Sequence, residues 1–307
     1  MKQYPGIKVN TTRYVNDDTG NTKLDTALQG GTPIDVYMSY GIPRLGQRIR
    51  AGVAEELTSY IAGDPAVKAW TETTDGLFKY QGKFFSLPTV RDPYAVIINK
   101  KLLEAAGGKL PTQWTIDDFH TLARQVSSKD VFGCYAPPDL ARQIIGPDYW
   151  YKNGGKESNF DNPAFKQYLD LYTGMIKEKS AFPWTEVLAQ NLRVYQQNVY
   201  LTSQAVLWPG SMYVLRYVND KKQYPHDFVT TFAPMPTPTG SGKFYNPGSI
   251  SNDVILNPKA KNKEAAWAFF RFRLTDGAKY MLKSGKVPAF PGASPDEVID
   301  GILGPDK

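Results

Sequence analysis

Apolar and polar positions along this chain change period repeatedly, and each change marks an element. Residues 7–14 alternate enough to predict a strand, and 22–29 predict a short helix stopped by Gly30-Gly31. Gly31-Thr32-Pro33 then turns into a buried strand ending at Met38, followed by Ser39-Tyr40-Gly41 at its carboxyl end. Helices are expected over 45–53 and 65–74. Residues 80–88 read as two short strands about a Gly82 turn, with the second ending at Leu87-Pro88, and a longer apolar strand leads to Asn99-Lys100. Thr115 stands three residues before Asp118 and ahead of Phe119, Leu122 and Val126, a capping-box start with Asp in place of Glu. Further on, 131–136 predicts a strand, and Pro137-Pro138-Asp139 opens a loop or helix. Tyr149-Trp150-Tyr151 forms an aromatic run before a turn at Asn153-Gly154-Gly155. Asn162-Pro163 starts a long helix with Phe165, Tyr168, Leu169, Tyr172 and Ile176 on one face. A buried strand and turn follow at 205–211. The alternating prolines of 232–240 favour a stiff, extended crossing. A turn and strand come next at 248–256, and a last strong helix opens at Lys261-Asn262-Lys263.

Composition narrows the classes. The 307 residues suffice for two cores. A hydrophobic share of 41% with no bilayer-length apolar run describes a water-exposed globular chain. The net charge of +6 is dispersed, so there is no nucleic-acid footprint. The single cysteine, Cys134, excludes an internal disulfide and suits a small core position. His120 and His226 belong to no metal-like cluster, and no cofactor is implied. Thr239-Gly240-Ser241-Gly242-Lys243 imitates a phosphate loop, but it lacks the first glycine and continues with Phe244; it reads as a solvated turn.

The run Tyr80-Gln81-Gly82-Lys83-Phe84-Phe85-Ser86-Leu87-Pro88, continued by Arg91-Asp92-Pro93-Tyr94 and Asn99-Lys100, carries a resemblance. So does Pro111-Thr112-Gln113-Trp114-Thr115-Ile116-Asp117-Asp118-Phe119 after Gly107. With Lys261-Asn262-Lys263-Glu264-Ala265-Ala266-Trp267, this order resembles the extracellular solute-binding proteins of sugar-importing ABC transporters, the maltose-binding-protein-like type. The resemblance implies an α/β, two-lobed periplasmic-binding-protein-like fold with hinge crossings. It places lobe I at 1–92 with 246–275 returning to it, and lobe II at 97–240 with the tail 276–307 returning to lobe II. Against the family pattern, Met1 to Val9 begins in mid-pattern and the end after Val287-Pro288 comes early, so truncation at both ends is expected, with the leader absent. The resemblance further implies capture of a sugar or oligosaccharide in an interlobe cleft and delivery to ABC permease subunits. The chain would be an extracytoplasmic monomer, periplasmic or lipid-anchored, meeting the membrane only through a missing anchor or the permease, and it would not be an enzyme.

Aromatics make up 13% of the chain, and loop aromatics beside Gly or Pro suit the C–H face of a pyranose. Tyr40, Trp150, Trp208 and Tyr213 are the expected stacking faces, with Ser211 beside them. Arg91 and Asp92 are expected to bond hydroxyls, and Gly248 and Ser249 to bring backbone close to the ligand. Trp114, Phe119, Trp267 and Phe270 read as core. An alternative is a polysaccharide hydrolase or lyase with an aromatic-lined cleft. It needs two facing acids, and the adjacent pairs Asp17-Asp18 and Asp117-Asp118 point apart.

Overall fold

The computed structural model describes residues 4–153, 156–192, 196–239 and 243–303. The glycine turn at Gly154-Gly155 and the centre of the phosphate-loop mimic lie outside them. In chain order the strands are β1 (Val36–Ser39), β2 (Leu87–Asp92), β3 (Tyr94–Asn99), β4 (Phe132–Cys134), β5 (Tyr151–Lys152), β6 (Glu157–Ser158), β7 (Ala205–Ser211), β8 (Thr230–Ala233), β9 (Ser249–Leu256) and β10 (Val287–Pro288). The described residues form two compact units, one of 4–91 with 250–303 and one within 92–249. Only Pro93 separates β2 from β3, so the chain leaves one sheet and enters the other within three residues.

The first unit holds a sheet in the order β1-β9-β2-β10. Strand β9 is antiparallel to β1, with Val254 opposite Met38 and Leu256 opposite Val36. Its side chains alternate as a strand requires. Val254 and Leu256 join Leu57, Val67, Trp70, Leu87 and Phe270 in one core, while Ile255 joins Leu28, Tyr37, Leu45 and Val53 in another. Side-chain caps define the covering helices: Asp17 accepts from Gly20 N before Asp18–Gln29, Asp64 from Val67 N before Pro65–Thr73, and Asn262 from Ala265 N before Lys263–Leu274. Arg48, on Ile42–Arg50, is a buried cation that is fully engaged. It donates to Asp25 at 2.7 Å, Ser39 Oγ at 2.7 Å and Asn21 Oδ1 at 3.0 Å, and lies 5.6 Å from the Tyr37 ring centre.

Three expectations change here. Residues 7–14 pair with no strand and leave Lys8 to Arg13 exposed, because an alternating pattern forms a strand only where a ladder partner receives it. The two short strands about Gly82 reduce to a single bridge between Tyr80 and Lys83, closed by Gln81 and Gly82 at positive φ. The tail does not return to the second unit: β10 pairs with β2, and the helical turn Asp276–Ser284 packs on Lys263–Leu274 and Pro295–Leu303.

The second unit carries a sheet in the order β4-β7-β3-β8, with β7 antiparallel to β3 and parallel to β4, and β8 antiparallel to β3. Val96, Ile98, Val206 and Leu207 meet Leu103, Trp114, Phe119 and Met175 in one core; Ile97 and Trp208 meet Phe182, Val199 and Tyr200 in another. The capping box at Thr115 and Asp118 is complete in both directions. Cys134 is buried among the first set, and burial pushes its thiol well above the ordinary range. Trp114, Phe119 and Phe270 are buried, and Trp267 packs half-buried on Phe270 at 4.9 Å. Among the described residues no helix is long and apolar enough to cross a membrane, and no His, Cys, Asp or Glu cluster could hold a metal.

Candidate functional site

The second unit carries an open pocket of about 450 Å³, within the range of small-molecule sites. Strand ends set its frame: Tyr94 opens β3, Pro209 lies in β7, and Tyr135, Ala136 and Pro137 follow β4. Asp139 then caps the helix Leu140–Ile145, accepting from Arg142 N at 3.0 Å, so the cap and the first turn deliver an acid and a base to one wall. The long helix Pro163–Lys177 contributes Tyr168 and Tyr172, four apart and therefore on one face. Trp184 begins Trp184–Ala189 behind Pro183 and stays 49% exposed, a flat indole at the rim. Gln196, Met235, Pro247 and Ser249 complete the lining.

Its electrostatics are those of neutral hydroxyls around one ion pair. Burial raises the phenols of Tyr94, Tyr135, Tyr168 and Tyr172 above their ordinary range, so each keeps its proton at neutral pH; the Tyr172 hydroxyl donates to Phe182 O at 3.5 Å. Asp139 Oδ2 lies 3.5 Å from Arg142 Nε. The same guanidinium lies 4.2 Å from the Tyr149 ring centre and 5.9 Å from that of Trp150. For Tyr149, burial, foremost, and then the Asp139 charge raise the phenol, while the Arg142 charge lowers it. Paired acid and base, several hydroxyls and an exposed indole can bind a polyhydroxylated solute by its hydroxyls and its apolar face.

Of the residues expected at the site, Ser249 lines this pocket. Trp208 does not. It stands inside β7, 2% exposed, between Tyr200 at 6.1 Å and Tyr213 at 6.2 Å, and it offers no face to a solute. Pro209-Gly210 suggested a turn there, but the strand runs through both, since Pro209 lies past the end of β4 and owes it no N–H bond. Ser211 and Asp92 are buried and bond each other at 3.3 Å, a structural pair. Gly248 makes its close approach to the protein's own chain, since a Cβ there would lie 2.8 Å from Asp92 O. Tyr213 is half-buried between Trp208 and Tyr217, each at 6.2 Å, outside the lining. Trp150 is half-buried beside Arg142, outside the lining. Arg91 is exposed on β2, and Tyr40 packs edge-on against Tyr14 at 6.4 Å; both belong to the other side of the Arg91–Asp92 boundary. The four pocket tyrosines, Asp139, Arg142, Trp184 and Gln196 were not singled out from the sequence. One available signal was Pro137-Pro138-Asp139 directly after a strand, the carboxyl end where α/β sheets place ligands.

Comparison with known proteins agrees with this architecture. The family model described as bacterial extracellular solute-binding protein matches residues 1–280. A putative binding protein of Brucella abortus is 26% identical, with 92% of this chain and 69% of that protein covered. An ABC substrate-binding protein of Listeria monocytogenes in complex with cycloalternan superposes with a TM-score of 0.75 at 23% identity, over 98% of this chain and 76% of that one. An ABC transporter-associated binding protein of B. animalis subsp. lactis in complex with beta-1,6-galactobiose gives 0.64 at 18% identity, over 94% and 72%. The mixed α/β architecture is therefore shared with sugar-transporter binding proteins, and the chain belongs to the bacterial extracellular solute-binding protein family.

Proposed function

We propose that the chain captures a carbohydrate solute outside the cytoplasm and hands it to the permease subunits of an ABC importer, with the tyrosine-lined pocket as a principal contact surface. The observation that carries this reading is the lining itself: four neutral phenols, an Asp139–Arg142 pair and the exposed Trp184 around about 450 Å³. Hydroxyls bind both ways to phenols and to the ion pair, while an indole face takes the C–H side of a ring. The family match and the sugars bound by the Listeria monocytogenes and B. animalis neighbours support the same solute class. Glycoside hydrolysis calls for two carboxyl groups flanking one bond. Asp139, the carboxylate of this lining, is held by Arg142, which favours binding over turnover.

The test is a thermal-shift and calorimetric screen of the purified chain against mono- and oligosaccharides, with chromatography of each mixture. A folded-state ligand raises the melting midpoint as its concentration rises. We expect one sugar family to do so without released product, and Trp184→Ala to weaken that ligand about tenfold, or ~1.4 kcal/mol. Consumption of the sugar, or no shift with any sugar, would sink the reading.

A further inference from the structure

The charges around the pocket carry a statement about which sugars it admits. Among the described residues that line it, Asp139 and Arg142 are the charged ones, and they are paired. Their charges offset each other, so the lining presents no net charge to a ligand. Asp139 accepts from Arg142 N at 3.0 Å and faces Arg142 Nε at 3.5 Å. Arg142 also lies over the Tyr149 ring, 4.2 Å from its centre. An anionic ligand entering here would give up water and meet a carboxylate without a spare cation to offset it. Adjacent hydroxyls present the opposite case: one donates to a carboxylate oxygen while its neighbour accepts from a guanidinium N–H, and no net charge is buried.

We infer that the pocket selects neutral polyhydroxylated ligands over uronates and sugar phosphates, with Asp139 and Arg142 acting together as a charge-neutral reader of a diol. This rests on the reading of the pocket as a sugar site. It also makes Asp139 the element that excludes acids, because its removal would leave Arg142 as an uncompensated cation. Asp139→Asn is a suitable probe, since asparagine is an equally good helix N-cap and keeps an oxygen for Arg142 N.

The experiment titrates the full chain, by calorimetry and thermal shift, with neutral probes (maltose, cellobiose, beta-1,6-galactobiose, mannitol) and acidic ones (glucuronate, digalacturonate, glucose 6-phosphate). The native chain is expected to bind at least one neutral probe and to bind each acid at least about tenfold more weakly. In Asp139→Asn the neutral probe should weaken about tenfold and an acid should gain about tenfold, a crossover that general loss of structure cannot produce. Asp227→Asn, which removes the same charge at the exposed Lys101–Asp227 pair, should leave both affinities in place. An acid that binds the native chain as well as any neutral probe overturns the selectivity while leaving the sugar reading standing. Equal loss of both classes in Asp139→Asn, or no change in either, overturns the role of the pair. Failure of every probe on the native chain overturns the inference and the sugar reading together.

Discussion

Trp208 shows what one side chain can do from inside a sheet. It is packed against Tyr200 and Tyr213, and the Gly210 backbone comes so close that a Cβ there would lie 3.1 Å from the indole nitrogen. Trp208→Ala should therefore lower apo stability by about 3–5 kcal/mol, read as a fall in the denaturation midpoint. Affinity per folded molecule should hold; a tenfold loss of affinity with an unchanged midpoint would return this residue to the site. Asp253 offers a second test at this scale. Burial pushes its carboxyl up to about 6, partly offset by a hydrogen bond from Ser86 at 2.9 Å. A folded-state value above the unfolded one means that this group's contribution is full below about pH 4 and is lost as pH rises through about 6. The residue keeps some solvent exposure, so we expect a loss on the order of 1–2 kcal/mol across that window, and Asp253→Asn should flatten this part of the melting-temperature profile.

Elements were legible where chemistry is local and obscure where a partner decides. Thr115-Ile116-Asp117-Asp118 announces a cap because its hydrogen bonds close within four residues, and both are made. The helix after Asn162 was readable for the same reason, yet its apolar face was drawn too wide: Leu169 is 56% exposed, while Tyr168 and Tyr172 face the pocket. Periodicity shows that side chains share a face, not what that face meets. Residues 7–14 and the tail misled for the matching reason, since pairing and docking are decided by distant residues. The pocket was missed because its lining comes from several separate stretches, and tyrosines at helical spacing look like packing until the cavity is seen. At this scale Gly133 is the sensitive joint: a Cβ there would fall 1.9 Å from Ala123 O, on the helix Ile116–Gln125 that covers β4. Gly133→Ala should cost at least about 1–3 kcal/mol, seen as a lower urea midpoint at constant slope, whereas an unchanged midpoint would mean that helix and strand part readily.

For the whole molecule the decisive fact is how the two units share the chain. The second is one uninterrupted stretch, whereas the first is assembled from segments on either side of it. Strand β9 lies between β1 and β2, so the first sheet has no ladder without a strand from the far segment. A fragment of 92–249 should unfold cooperatively by itself, while one ending at Arg91 should show no cooperative transition until a chain carrying 250–303 is added. Circular dichroism melts of the two fragments and their mixture would decide this. A cooperative transition in the fragment ending at Arg91 would show that β9 is dispensable.

The central position of β9 also imposes an order in time. During synthesis β1 and β2 leave the ribosome before the strand that must part them has been made. At about 5–20 residues per second the delay is on the order of ten seconds. Over that interval the nascent first segment holds unpaired strand edges while the whole of the second unit is made. The sheet of β1 and β2 is thus completed only after the whole of the second unit has been synthesised.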